Sequence, residues 1–148
     1  MAEVLATLRD LARICRDGER LYHTAAVRMR SPALRELARE VGRMRGELHR
    51  EFTLLLRARG APAAGGTLYG GARKTCANLR ARFSDRDRVY VAELENIEDR
   101  LLHAMERATL HLAPDDTLAF VRLHLPAARA THERMRALKN ELSNAEPA

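Results

Sequence analysis

The sequence predicts an all-α fold in which four long helices form one bundle. Three observations carry that expectation. Apolar residues recur every three or four positions along four long segments, the spacing of a helix with one buried side. Runs of β-branched and aromatic residues are missing, and with aromatics at 4% and no Trp there is little from which to build strands. Turn signals divide the chain into two pairs of helices with a long connection between them. The 148 residues, 46% hydrophobic and 31% charged, are enough to bury a core, and residues 1–148 read as a single domain.

The first helix is expected from about Ala2 to Met29. Leu5, Leu8, Ala12, Cys15, Glu19, Tyr22, Ala26 and Met29 share its inward face. Gly18 weakens helix propensity there, and its missing side chain would let a neighbour approach. Ser31-Pro32 reads as an N-cap followed by Pro at the first helical position. The second helix then runs over about 32–59, with Leu34, Leu37, Val41, Met44, Leu48, Phe52 and Leu55 inward. Gly60 and Pro62 stop it. So short a link between these helices demands an antiparallel hairpin.

Residues 60–85 form a crossover rich in small residues, with a short helix expected over 72–83. It is long enough to travel the length of a bundle. Ser84, Asp85 and Asp87 offer cap and first-turn acids for a third helix over 86–111. Its stripe is Val91, Leu94, Leu101, Leu102, Met105 and Ala108, with Glu98 inside it. Pro114-Asp115-Asp116 breaks the chain and restarts it. The fourth helix, over 116–142, turns Leu118, Val121, Leu125, Ala128, His132, Met135, Leu138 and Leu142 inward. Pro126 is expected to bend it or open it locally. Two helical hairpins joined by one long crossover is the ferritin-like arrangement.

The polar residues on those stripes carry the functional question. A carboxylate in an apolar interior requires a cation, a donor or a metal beside it. Folding each hairpin at its turn places Glu19, Glu98 and His132 near mid-bundle, with Glu47 a further candidate. A carboxylate-bridged di-metal bundle takes one Glu from each of two helices and Glu-x-x-His from each of the other two. Here the corresponding positions read Glu47-x-x-Arg50 and Arg129-x-x-His132. An arginine cannot ligate a metal and competes for the carboxylates. Two readings follow. One is a structural buried network of Glu19, Tyr22, Glu98, Arg129 and His132. The other is a metal site on Glu19, Glu47, Glu98 and His132 for iron, manganese or zinc, with oxidase-like chemistry. His23 and His111 have no partner pattern, His49 and His103 flank the inward faces as exposed or boundary residues, and His124 could share a face with His132 without touching the same site; phosphate-loop, nucleophile-elbow and Cys-x-x-Cys motifs are absent.

Formal net charge is +6, nearly all of it arginine, since Lys74 and Lys139 are the only lysines. That permits an anionic or nucleic-acid partner. Acidic residues are interleaved with the arginines, which favours a solvated surface of ion pairs over a nucleic-acid interface. Cys15 and Cys76 are too isolated to frame a disulfide or a zinc motif. No signal peptide or membrane span is visible, so a cytoplasmic setting is expected. Leu11, Ile14 and Leu21, on secondary faces of the first helix, are expected to bury against the crossover or a second subunit, and a homodimer is expected of a bundle of this kind.

Several local groups also resemble a bacterial family of four-helix-bundle proteins of unknown function in the ferritin-like superfamily. They are Asp17-Gly18-Glu19 with Tyr22, Gly60-Ala61-Pro62, Thr67-Leu68 with Gly70, and Asn78-Leu79-Arg80. Glu95-Asn96-Ile97-Glu98-Asp99 and His132-Glu133-Arg134 complete the set. The chain departs from that pattern at Cys76, Asn96-Ile97 and Met105, where the family often has Trp, Arg-Gly and Tyr. The resemblance implies a ferritin-like bundle and does not imply ferroxidase activity. The expectation is a small bundle without established catalysis, structural, interacting or stress-related, that requires no cofactor.

Overall fold

Helical periodicity becomes four helices: α1 over Ala2–Arg28, α2 over Pro32–Ala58, α3 over Arg86–His111 and α4 over Asp116–Asn144. The computed structural model describes residues 1–62 and 85–144, and none of these is in a strand. The short helix expected over 72–83 and Cys76 lie outside the described residues.

The helix ends follow from local chemistry. Ser31 Oγ accepts the backbone N–H of Leu34 at 3.3 Å, and Pro32 occupies the first turn of α2, where no intrahelical donor is needed. Gly60 has φ of 74°, and two reverse bonds close the end of α2: Gly60 N–H to Arg57 O at 2.9 Å and Ala61 N–H to Leu56 O at 3.1 Å. Only glycine adopts that backbone without strain, and the apolar Ala61 and Leu56 are both buried there. Asp115 caps α4 by accepting Leu118 N–H at 3.0 Å. At α3 the residue before the helix is Asp85, but its side chain makes no capping bond and pairs with Arg88 at 3.2 Å instead.

Contacts at the helix ends set the topology. Asp87, in the first turn of α3, accepts the backbone N–H groups of Arg30 and Ser31 at 2.6 and 3.0 Å, so α3 begins beside the α1–α2 turn. Arg59, just past α2, donates to Asp115 at 3.1 Å and Asp116 at 2.6 Å, so α2 ends beside the α3–α4 turn. Residues 62 and 85 therefore lie at opposite ends of the helices. α1 packs on α2, α3 on α4, and α1 on α3. Phe52 of α2 meets Phe120 of α4 edge to face, ring centres 5.3 Å apart. α2 and α3 are thus the diagonal pair.

The buried core is mostly aliphatic: Leu8, Val41, Leu56, Leu94, Leu101, Met105 and Met135, with Tyr22, Phe52 and Tyr90 as its buried aromatics. Leu11 and Ile14 belong to it as well. They are covered within the chain by α2 and α3, because α1 touches both and so buries two faces, and not by the crossover or a second subunit as the sequence suggested. α4 runs through Pro126 as one helix. Pro126 and Arg122, whose carbonyl loses its donor, are both exposed, so water can satisfy that carbonyl.

Candidate polar centre

Glu98 lies at the middle of α3 and is 2% exposed. Its partner is Arg45, at the middle of α2 and equally buried. Arg45 Nε donates to Glu98 Oε2 at 2.9 Å, and Nη2 donates to Oε1, a two-pronged pairing that uses both carboxylate oxygens. The pair spans the diagonal of the bundle. Gly18 of α1 lies against it, and a Cβ there would be in ordinary contact, 3.7 Å from Arg45 Cγ and 3.8 Å from Ile97 Cγ1. A longer side chain at that position would block the arginine stem.

Electrostatics bind the neighbours to this pair. Burial opposes the Arg45 charge, but the hydrogen-bonded carboxylate outweighs it and holds the guanidinium protonated beyond its ordinary range. Burial, reinforced by the Glu98 charge, lifts the Tyr22 phenol well above its usual value. The Tyr22 hydroxyl faces Glu98 without reaching hydrogen-bond geometry, and it has no other partner among the described residues. Burial pushes the Cys15 thiol up to about 12. The centre is a dry one: one ion pair, one neutral phenol and one neutral thiol.

The other sequence candidates do not join it. Glu19 is half-buried, and its carboxylate lies over Gly46 of α2, where a Cβ would collide with it, instead of on the Arg45–Glu98 pair. Glu47 is exposed. Both line a groove of about 890 Å³ between α1 and α2, whose walls also carry His23, Arg39, Arg43 and Arg50. Its lining mixes the carboxylates of Glu19, Glu36 and Glu47 with the arginines. Arg129, expected in the buried network, is exposed and faces Glu106 at 3.5 Å. His132 is half-buried between α3 and α4, and its Nε2 faces Asp99 at 3.4 Å and Glu95 at 3.9 Å, not Glu98. Among the described residues, no three His, Cys, Asp or Glu side chains are already gathered round one point as a metal cluster. The expected set of Glu19, Glu47, Glu98 and His132 is dispersed over three environments.

Arg45 is the residue that sequence reasoning missed, and its signal was present. Val41, Arg45, Leu48 and Phe52 follow the three-and-four spacing of the inward stripe. An arginine on that stripe could have been matched to the lone carboxylate on α3. Helix periodicity put Met44 inward instead, and Met44 is only half-buried.

Among the described residues, no helix is long and apolar enough to cross a membrane. The family model for a domain of unknown function, DUF2383, matches residues 3–110, and the chain belongs to that family. No curated protein matches the chain. No solved structure matches it either.

Proposed function

We propose that this member of the family is a non-catalytic helical bundle of ferritin-like layout that works by interaction rather than by turnover. One observation carries the reading: Arg45 occupies the place beside Glu98 that a bundle oxidase would give to a metal. Both oxygens of Glu98 are engaged by the guanidinium. A cation at that point would have to displace a buried arginine and leave its charge unpaired, a loss of about 3–5 kcal/mol. The residues present therefore do not fit a di-metal centre at mid-bundle. The ferritin-like layout is supported by the two hairpins and by the end-to-end separation of residues 62 and 85. The unpaired Cys15 thiol, buried in the core, suits the expected cytoplasmic setting.

The test is oxygen consumption by the purified protein supplied with ferrous iron, alongside Glu98→Gln. The expected result is no consumption above a protein-free control in either case. Iron oxidation by the wild type that Glu98→Gln abolishes would overturn the proposal.

A further inference from the structure

The charges of α1 and α2 are interleaved along the chain but segregated around the helices. On α1, Arg9, Arg13, Arg16 and Arg20 recur at helical spacing and share one face. Glu3, Asp10 and Asp17 follow a separate line, about a quarter turn away. On α2, Arg39, Arg43, Arg50 and Arg57 make one row, with Glu36, Glu40, Glu47 and Glu51 in a second row beside it. A Cβ at Gly42 would meet Tyr22 and one at Gly46 would meet Glu19, so these residues mark where the two helices touch. Moving outward from that contact, each helix presents its arginines first and its acid row afterwards. The arginine rows therefore face each other across the α1–α2 groove, which Arg20, Arg39, Arg43 and Arg50 line. The antiparallel register sets Arg20 level with Arg43, Arg16 with Arg50 and Arg9 with Arg57. Burial lowers the His49 pKa and Glu19 raises it, while Arg16, Arg50 and Arg20 lower it further, so those three charges converge on one place.

Among the described residues, only Arg39 of the two rows has an ion pair, with Glu36 at 2.6 Å; the other side chains of the rows hold no salt bridge or hydrogen bond. Like charges at this spacing repel, and an anion laid along the groove relieves that. Guanidinium forks pair phosphate oxygens two at a time. At 1.5 Å per residue the α2 row is about 27 Å long. No Phe or Tyr of the described residues lies on the rows, so neither the stacking platform of a single-strand binder nor the aromatic anchor of a protein interface is present. Val27 and Leu54 are the large exposed apolar side chains of the two helices, too few to insert into a membrane. We propose, on the reading that this bundle works by interaction, that the arginine rows of α1 and α2 hold the phosphate backbone of duplex DNA over about eight base pairs, without reading its sequence. Glu19, half-buried between the rows, is the carboxylate that opposes the phosphates.

Fluorescence anisotropy of a labelled mixed-sequence duplex of about 20 base pairs, titrated with the full chain, tests the proposal. With about four phosphates neutralised, affinity should fall roughly 100-fold between about 50 and 200 mM salt. Arg20→Gln, Arg43→Gln and Arg50→Gln should each lower the salt slope by about one, and together weaken binding roughly tenfold or more. All three arginines are exposed, so the variants keep the fold. Arg43→Lys should retain the slope, Glu19→Gln should tighten binding, and Arg136→Gln on the exposed side of α4 should bind as the wild type does. Absence of binding at the lowest salt, or binding undiminished in the triple variant, would overturn the proposal. So would tighter binding of the single strand, or capture by phosphatidylserine vesicles or an acidic peptide in place of the duplex. None of these outcomes bears on the non-catalytic reading, which stands or falls on iron oxidation.

Discussion

Cutting the Arg45–Glu98 pair one partner at a time should be far more damaging than removing it whole. The two side chains are 3% and 1% exposed, so neither charge has water to fall back on. Arg45→Met leaves a buried carboxylate without a cation, and Glu98→Gln leaves a buried guanidinium without an anion. Each should lower unfolding free energy by about 3–5 kcal/mol, the usual penalty for orphaning one member of a buried pair. At roughly 3 °C per kcal/mol for a chain of this size, the midpoint should fall by roughly 10 °C or more. Arg45→Met/Glu98→Leu removes both charges and fills the space with apolar atoms. It should unfold between unchanged and about 1–4 kcal/mol above the wild type. Urea unfolding followed by circular dichroism at constant pH gives all four free energies and the coupling between the positions. If the double variant loses as much as the two single variants added together, the pair does not act as a unit and the account of a dry polar centre is wrong. Single losses below about 1 kcal/mol would mean that water reaches it, as at a surface pair.

Other consequences concern the residues around that centre and the helix ends. Gly18→Ala places its Cβ in ordinary contact with Arg45 and Ile97, so the gain in helix propensity should raise stability by about 0.5–1 kcal/mol. Gly42→Ala puts a Cβ 3.0 Å from Tyr22 Cβ, and the crowded α1–α2 interface should make it destabilising in the same urea assay. Asp87→Ala strips two backbone donors of their acceptor at the α1–α2 turn and should cost about 1–2 kcal/mol, with faster amide exchange at Arg30 and Ser31. The Cys15 thiol, held at about 12 by burial against 9.0 when free, stays neutral in the folded state while the unfolded chain ionises. Its contribution to stability is complete below pH 9 and is lost as pH rises toward 12, so the unfolding midpoint should decline over that window. In a Cys76→Ser background, Cys15 should resist alkylation at pH 8 until urea unfolds the chain.

Local chemistry made much of the helical layout legible in the sequence. Ser31-Pro32, Gly60 and the Pro114–Asp116 break act within a few residues of themselves, so the chain records them directly. The three-and-four stripes worked for the same reason, since a helix repeats its faces at fixed intervals. The polar residues were harder to place because α1 lies against two helices. With two faces of α1 buried, Leu11 and Ile14 turned from a surface into core, and Glu19 fell at the edge of the stripe that should have carried it inward.

By itself the sequence determined that these residues make long amphipathic helices, roughly where each begins and ends, and that a carboxylate on α3 must find a cation, a donor or a metal. Only the tertiary structure decided which partner. Choosing Arg45 over His132 depends on α2 lying diagonally across from α3, which brings the middle of one helix to the middle of the other. That is a relation between helices far apart in the chain, and no periodicity within one helix encodes it. The same holds for His132, whose ring faces Glu95 and Asp99 and not Glu98.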